Sequence, residues 1–341
     1  MSFPHVESAP IVRIRSLSVR LTSRTGTVQV VNDVSLDVDH GQSLGIVGES
    51  GCGKSMTWLA ALRLLPSHAT TTGVVEIAAE DVFQLKPGAL SALRGGRVAL
   101  ISQDPLSALN PVRKIGWQIC EALRIHRGMT RTGAQNEARR LLDRVRIANA
   151  AERLNAYPHE LSGGMCQRVM IAMALAGEPD LLIADEPTTA LDATVQAEVL
   201  DLIKEIQAER GMALVLISHD LGVVSRMCDR LAVMYCGRLV EIGAADTVLA
   251  NPAHPYTKGL MTASMMNGAV RTPVDPIPGS VPSLSNLPPG CSFEPRCARS
   301  SETCRKIRPE LASLRDARWV ACHSEISTFA PAISLSDGEI L

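Results

Sequence analysis

Gly48-Glu-Ser-Gly-Cys-Gly-Lys54-Ser55 fits the pattern G-x-x-x-x-G-K-[ST] and stands between two legible elements. Ser43-Leu-Gly-Ile-Val47 before it reads as a short buried strand, and Met56 to Leu65 after it reads as an apolar helix closed by Pro66. Strand, glycine loop and helix are the setting that a polyphosphate cradle needs. The glycines let backbone N–H groups turn inward, and the helix N-terminus adds the positive end of its dipole. In such a loop Gly48, Glu49, Ser50, Gly51, Cys52, Gly53 and Met56 surround the phosphates. Lys54 reaches the β- and γ-phosphates, and the Ser55 hydroxyl sits on Mg²⁺. The thiol of Cys52 lies in an electropositive turn, which favours a lowered pKa, and an inert small residue is the competing reading.

Outward from the loop the pattern is that of an α/β nucleotide-binding core. Residues Val12–Val19 and Val28–Val38 read as strands, as do Val98–Ser102, Leu181–Ala184 and Ala213–Ile217. Ile115 to Ile147 has helical spacing and belongs to an insertion that begins near residue 105. Leu231–Tyr235 and Arg238–Ile242 read as a hairpin around Cys236-Gly237. From Pro252 the texture changes to a proline-rich, helix-poor stretch, and the end of the chain reads as loosely ordered.

The chain has 341 residues, 46% of them hydrophobic, with a formal charge of −1. That is enough for a sizeable core in about two domains, and the charge does not call for nucleic acid. Met1 to Pro10 lacks the basic start and apolar run of a secretory signal, and no apolar run reaches the ~18 residues of a membrane span. The expectation is a cytosolic protein that can dock on a membrane protein.

Further chemistry collects at the ends of the expected strands. Leu181-Leu-Ile-Ala-Asp185-Glu186 places Asp185 to hold Mg²⁺ through water and Glu186 to orient and deprotonate a water. His219 follows its strand directly and can contact a γ-phosphate, and Gln103 ends another strand on the same edge. Leu161-Ser162-Gly163-Gly164-Met165 opens a helix over Cys166–Ala176, with Ser162 as N-cap and two glycines leaving the terminus bare for an anion. One nucleotide does not readily use both termini of one subunit, so a dimer is expected in which this terminus covers a partner's ATP.

With these residues in order, the chain resembles the ABC transporter ATPases. The phosphate loop, Gln103, the signature at Leu161–Met165, the carboxylate strand, Ala190-Leu191-Asp192 and His219 carry the resemblance over about residues 12–250. More narrowly it is similar to the ATP-binding subunits of oligopeptide and dipeptide importers. The marks are Ser102-Gln-Asp-Pro-Leu-Ser-Ala-Leu-Asn-Pro111, Asn251-Pro-Ala-His-Pro-Tyr-Thr-Lys-Gly-Leu260 and Pro278-Gly-Ser-Val-Pro282. The resemblance implies an ABC-type domain over 10–255: a RecA-like core, a helical subdomain at about 105–175 and an N-terminal antiparallel β element. It also implies a small irregular cysteine-containing extension over 256–325 and a loose tail over 326–341. The activity implied is ATP hydrolysis that powers a peptide-type importer through closure of an ATPase dimer. The partners implied are a second, related ATPase, two transmembrane permease subunits and, indirectly, an extracytoplasmic peptide-binding protein, with this chain peripheral on the cytoplasmic face of the inner membrane. Nickel, glutathione, antimicrobial peptides and oligosaccharides are alternative cargoes, and a soluble non-transport ATPase is the reading from another class. Four positions depart from the family pattern: Met165 and Cys166 in the signature, Cys52 in the phosphate loop, and Leu21 where an adenine-stacking aromatic usually stands.

Cys291, Cys297, Cys304 and Cys322 lie within 32 residues, spaced x5, x6 and x17. A cytosolic setting disfavours disulfides, and the short C-x₂₋₄-C pairs of zinc sites are missing. Four loosely spaced thiolates suit an iron–sulfur cluster better, and the resemblance associates this segment with a [4Fe–4S] cluster; Zn²⁺ and free thiols stay open, with His323 as a substitute ligand. Cys166 and Cys228 read as core fillers on helices.

Overall fold

The computed structural model describes residues 9–24, 26–188, 191–265, 277–314 and 317–324. The tail over 326–341 lies outside the described residues, as do Thr189 and Ala190. Twelve strands form two sheets among the described residues: β1 (Val12–Ser23), β2 (Gly26–Val38), β3 (Ser43–Val47), β4 (Ala69–Ile77), β5 (Glu80–Asp81), β6 (Val98–Ile101), β7 (Leu181–Asp185), β8 (Ala213–Ile217), β9 (Arg230–Tyr235), β10 (Arg238–Ala244), β11 (Ala312–Ser313) and β12 (Trp319–Val320). The first sheet is antiparallel, in the order β2-β1-β4-β5. The second runs β11-β12-β10-β9-β3-β8-β7-β6. Its neighbours from β9 through β3, β8 and β7 to β6 are parallel, and β10 and the two short strands are antiparallel.

The parallel strands β3 and β8 are buried at every position, as a sheet covered on both faces requires. One core lies between the second sheet and the helices Gly163–Leu175, Ala193–Arg210 and Leu221–Met227, and continues into the helical insertion; the other joins the opposite face to the antiparallel sheet. At Gly45 in β3 a Cβ would come within 2.3 Å of Val224, so the helix Leu221–Met227 rests directly on the strand. That helix starts where Asp220 accepts from the N–H groups of Gly222 and Val223. The insertion is built on the helices Ile115–Arg127 and Arg131–Arg144, separated by Gly128 in the left-handed region. Among the described residues no helix is long and apolar enough to cross a membrane.

Two readings change. β4 and β5 extend the antiparallel sheet where no strand is expected from the sequence, because the burial of β4 falls only on Val75 and Ile77 beside exposed threonines. The C-terminal stretch stays poor in regular structure, as expected, but it does not stand apart from the main sheet. β12 pairs with β10, Glu241 opposite Val320 and Ile242 opposite Trp319, and so continues the main sheet.

Candidate active site

All four expected chemical positions fall at the carboxyl ends of parallel strands, the edge where ligands bind in open α/β sheets. β3 leads into residues 48–55, β6 into Gln103, β7 into Glu186 and β8 into His219.

The phosphate loop is held by contacts that only glycine allows. Gly48 has φ 152° and Gly53 φ 104°, and a Cβ would meet Met234 O at 2.2 Å or Val30 O at 2.7 Å respectively. The helix Lys54–Ala61 follows at once and has no acidic residue in its first turn, so its positive end is left uncompensated. The buried ammonium of Lys54 donates to the carbonyls of Gly48, at 2.8 Å, and Glu49, at 3.2 Å. Gly51 is exposed and Ser50 faces outward beside it, while Ser55 and Met56 are half-buried at the helix start.

The Ser55 hydroxyl acts on the Asp185 carboxyl and favours its charged form, which associates the two oxygen donors expected to hold Mg²⁺. Burial pushes the Asp185 carboxyl above its usual range, with Ser55 and Lys54 opposing the rise. Glu186 sits next to it with φ 47°, its N–H donating to Ile217 O at 2.9 Å. Gln103 Nε2 donates to Glu186 Oε2 at 3.0 Å, and His219 Nδ1 lies 3.6 Å from the same oxygen. Gln103 and His219, from the ends of two different strands, thus meet on the one carboxylate of Glu186. A carboxylate held by an amide and an imidazole, next to Asp185, can orient and deprotonate a water attacking a terminal phosphate.

The second helix terminus is built as expected. Ser162 caps Gly163–Leu175 by accepting from Met165 N–H at 3.3 Å, and Ser162 and Gly163 are exposed. Gly164 differs from Gly163. A Cβ there would meet Val195 at 2.8 Å, whereas Gly163 faces open space. Leu191 is described, and Asp192 caps the helix Ala193–Arg210. Cys166 is buried, its thiol donating to Pro158 O, and Cys228 lies one residue beyond its helix, pushed up to about 12 by burial.

At Cys52 the structure favours the competing reading of an inert small residue over that of a lowered pKa. Its side chain is 1% exposed, and burial raises the thiol pKa against the lowering effect of Lys54. Its Sγ packs under the loop close to Gly48. The thiol is a wall of the loop and not a reactive group facing the phosphates.

The sequence reading missed the residues that hold the loop from behind. Tyr256 Oη accepts from Glu49 N–H at 2.8 Å, and Arg296 grips the Glu49 carboxylate. The only sequence signal is that both belong to stretches shared with the importer subfamily, Asn251–Leu260 and the cysteine segment. A cleft of about 920 Å³ between the antiparallel sheet and the C-terminal region is lined by none of residues 48–55.

Cys291, Cys297, Cys304 and Cys322 all line one small cavity with His254 and His323. Burial raises the pKa of Cys291, to about 11, and of Cys297 and Cys322, and in each case neighbouring cysteines add to the rise. The donor set is therefore convergent and of the soft kind that thiolate-bound metals use. The cavity holds about 10 Å³, and among the described residues no His, Cys, Asp or Glu group has the arrangement of a ready metal site. His323 Nε2 is engaged at 2.8 Å with Ile307 O.

The sequence comparisons agree with this geometry. The family profile described as "ABC transporter" matches residues 31–189, and that described as "Oligopeptide/dipeptide transporter, C-terminal region" matches 240–304. The dipeptide transport ATP-binding protein DppD of Bacillus subtilis is 44% identical over 317 residues, spanning 92% of this chain and 94% of its own. The chain belongs to the ABC transporter family. The oligopeptide transport ATP-binding protein OppD of Salmonella typhimurium is 42% identical over 93% of this chain and 94% of its own. Among solved structures, an ATP-binding cassette captured as a dimer with ADP and Pi after hydrolysis aligns with a TM-score of 0.62 at 25% identity, covering 69% of this chain and 98% of that one. This ABC ATPase therefore has the cassette fold, and its activity is ATP hydrolysis coupled to transport.

Proposed function

We propose that this ABC ATPase powers import of dipeptides or oligopeptides, closing with a second, related ATPase over two ATP molecules and reopening on hydrolysis. The observation that carries the hydrolytic part is the meeting of Gln103 and His219 on Glu186 beside Ser55 and Asp185. Lys54 and the N–H groups of residues 48–56 bind the phosphates, and Ser55, Asp185 and Gln103 hold Mg²⁺, which neutralises charge on the phosphate oxygens when bound. Glu186 takes a proton from the attacking water, Gln103 and His219 fix its orientation, and Ser162, Gly163 and Gly164 cover the partner's ATP. The cargo assignment rests on the relatives, which are named for dipeptide and oligopeptide transport along nearly their whole length. Two permease subunits dock on the helical insertion, where Val112, Trp117 and Ile125 expose large apolar side chains and Val112 is 76% exposed. The chain works at the cytoplasmic face of the membrane, divided into 10–255, with the helical subdomain at about 105–175, and 256–325. Co-expression with candidate permease, ATPase and peptide-binding proteins that co-purify with this chain tests this. ATPase activity of the purified complex in vesicles should rise with binding protein loaded with peptide and not with nickel, glutathione or oligosaccharide. Stimulation by one of those alone would reassign the cargo, and an ATPase indifferent to any permease would place it outside transport.

The four cysteines are proposed to hold a structural [4Fe–4S] cluster, with Zn²⁺ as the alternative, because four thiols from a segment poor in regular structure converge on one cavity. Anaerobically purified protein should contain about four irons per chain and absorb near ~400 nm. About one zinc would keep the ligands and overturn the cluster, and metal-free protein with a protease-resistant C-terminal segment would overturn both.

A further inference from the structure

The phosphate loop carries an acid where it must attract an anion. Glu49 follows Gly48 directly, and its carboxylate is 28% exposed. Left alone, a carboxylate beside a polyphosphate opposes binding by charge repulsion. It is not left alone. Arg296 donates from Nη1 to Oε2 at 2.8 Å and from Nη2 to Oε1 at 3.1 Å, a bidentate pair with a guanidinium only 4% exposed. The same guanidinium donates from Nε to Pro278 O at 2.9 Å and from Nη1 to Tyr235 Oη at 3.4 Å, so its orientation is fixed from three sides. Glu49 is also fixed through its backbone. Its N–H reaches Tyr256 Oη at 2.8 Å, and its carbonyl accepts from Lys54 at 3.2 Å. Behind these contacts Tyr235, Tyr256 and Phe293 form one aromatic cluster with ring centroids 4.6 to 5.4 Å apart, against which the Arg296 guanidinium is packed.

We propose that Arg296 and Tyr256 are positioning residues for nucleotide binding: the C-terminal segment neutralises and orients Glu49, and so sets the shape and charge of the phosphate loop. A glycine-rich loop has much conformational freedom to lose, and a loop already held in place binds with less ordering cost. Arg296 is joined to Cys297 by one peptide bond, in the short turn Glu294–Arg296. The state of the cysteine segment therefore reaches the nucleotide through this arginine, in either direction.

The inference rests on residues 48–55 as the nucleotide loop, and the test separates the two. Full-length chain is titrated with a fluorescent ATP analogue, and turnover is measured with the partner ATPase present. Arg296→Met should weaken ATP binding about tenfold and raise KM while kcat falls by less than about threefold, and removing the exposed charge in Arg296→Met/Glu49→Gln should restore most of the affinity. A merely structural arginine would not be rescued by a change in Glu49. Lys54→Ala serves as control: wild-type affinity there would defeat the loop assignment itself. Loss in Lys54→Ala with wild-type affinity in Arg296→Met would overturn the present inference alone, and so would a double variant that binds no better than Arg296→Met. If Arg296→Met does not accumulate as folded protein, Tyr256→Phe removes only the acceptor for Glu49 N–H. It should weaken ATP binding with an unchanged urea midpoint, and wild-type affinity in it would overturn the inference.

Discussion

At position 186 a glutamate holds a backbone conformation that residues with a side chain avoid, with φ at 47°. Its N–H is pinned to Ile217 O, so the neighbouring strand imposes the conformation, and the carboxylate is turned toward Gln103 and His219. Glu186→Gln keeps that shape and loses the base. Turnover should fall by about 10²–10⁴-fold with ATP affinity unchanged, and steady-state hydrolysis near wild type would remove Glu186 from the proton transfer. The phosphate loop and this carboxylate were legible in the sequence because both depend on local spacing next to a strand. The fate of Cys52 was not, because its place depends on a distant hairpin, where Gly237 N–H donates to Cys52 O at 2.9 Å. In native protein Cys52 should resist maleimide whether or not ATP is present, and label only after denaturation. Rapid native labelling detected by peptide mass mapping would contradict the buried thiol.

At the scale of elements, the turn from Asn251 to Tyr256 shows how a polar core can fasten two parts of a chain. Glu241 in β10 is wholly buried and accepts from Ala253 N–H at 2.8 Å and His254 N–H at 2.9 Å, and it pairs with Arg318 at 3.1 Å. His254 accepts from Tyr256 N–H at 3.0 Å, and burial pushes its pKa down to about 3 from 6.5. Its neutral form is the one the fold accommodates. Stability from this site is complete above pH 6.5 and declines as pH falls from there toward 3. Between about pH 7 and about pH 5.5 the loss should be on the order of 1 kcal/mol, read as a lower urea midpoint that His254→Gln largely abolishes. Equal pH sensitivity in both proteins would assign the loss to other groups. The sequence showed β3, β7 and β8 because buried parallel strands are continuous apolar runs. It hid β4, whose threonines gain order only by pairing with β1, and it hid β11 and β12, two residues each, which exist only as additions to an existing edge.

At the scale of the whole molecule, the proposed closure with a second ATPase gives the second bare helix terminus its use across a subunit boundary. Gly163 is the cleaner probe of that boundary, since a side chain there meets nothing within this chain, whereas one at Gly164 strikes Val195. Gly163→Asp should leave ATP binding by the isolated chain intact and lower the ATPase activity of the assembled pair by at least about tenfold, since the added charge faces the partner's phosphates. Normal activity of that assembly would refute the role in trans. The order in which the chain is made gives the C-terminal staple another meaning. A ribosome delivers every residue of the catalytic set, from Gly48 to His219, about a hundred residues before Arg318 and β12 emerge. Until then Glu241 is a carboxylate awaiting its counter-ion, and the outer edge of β10 is an open row of hydrogen-bonding groups. A product of premature termination anywhere in that interval would own the whole catalytic set yet remain poorly closed, and would be cleared by proteases before it could displace a finished subunit from the transporter.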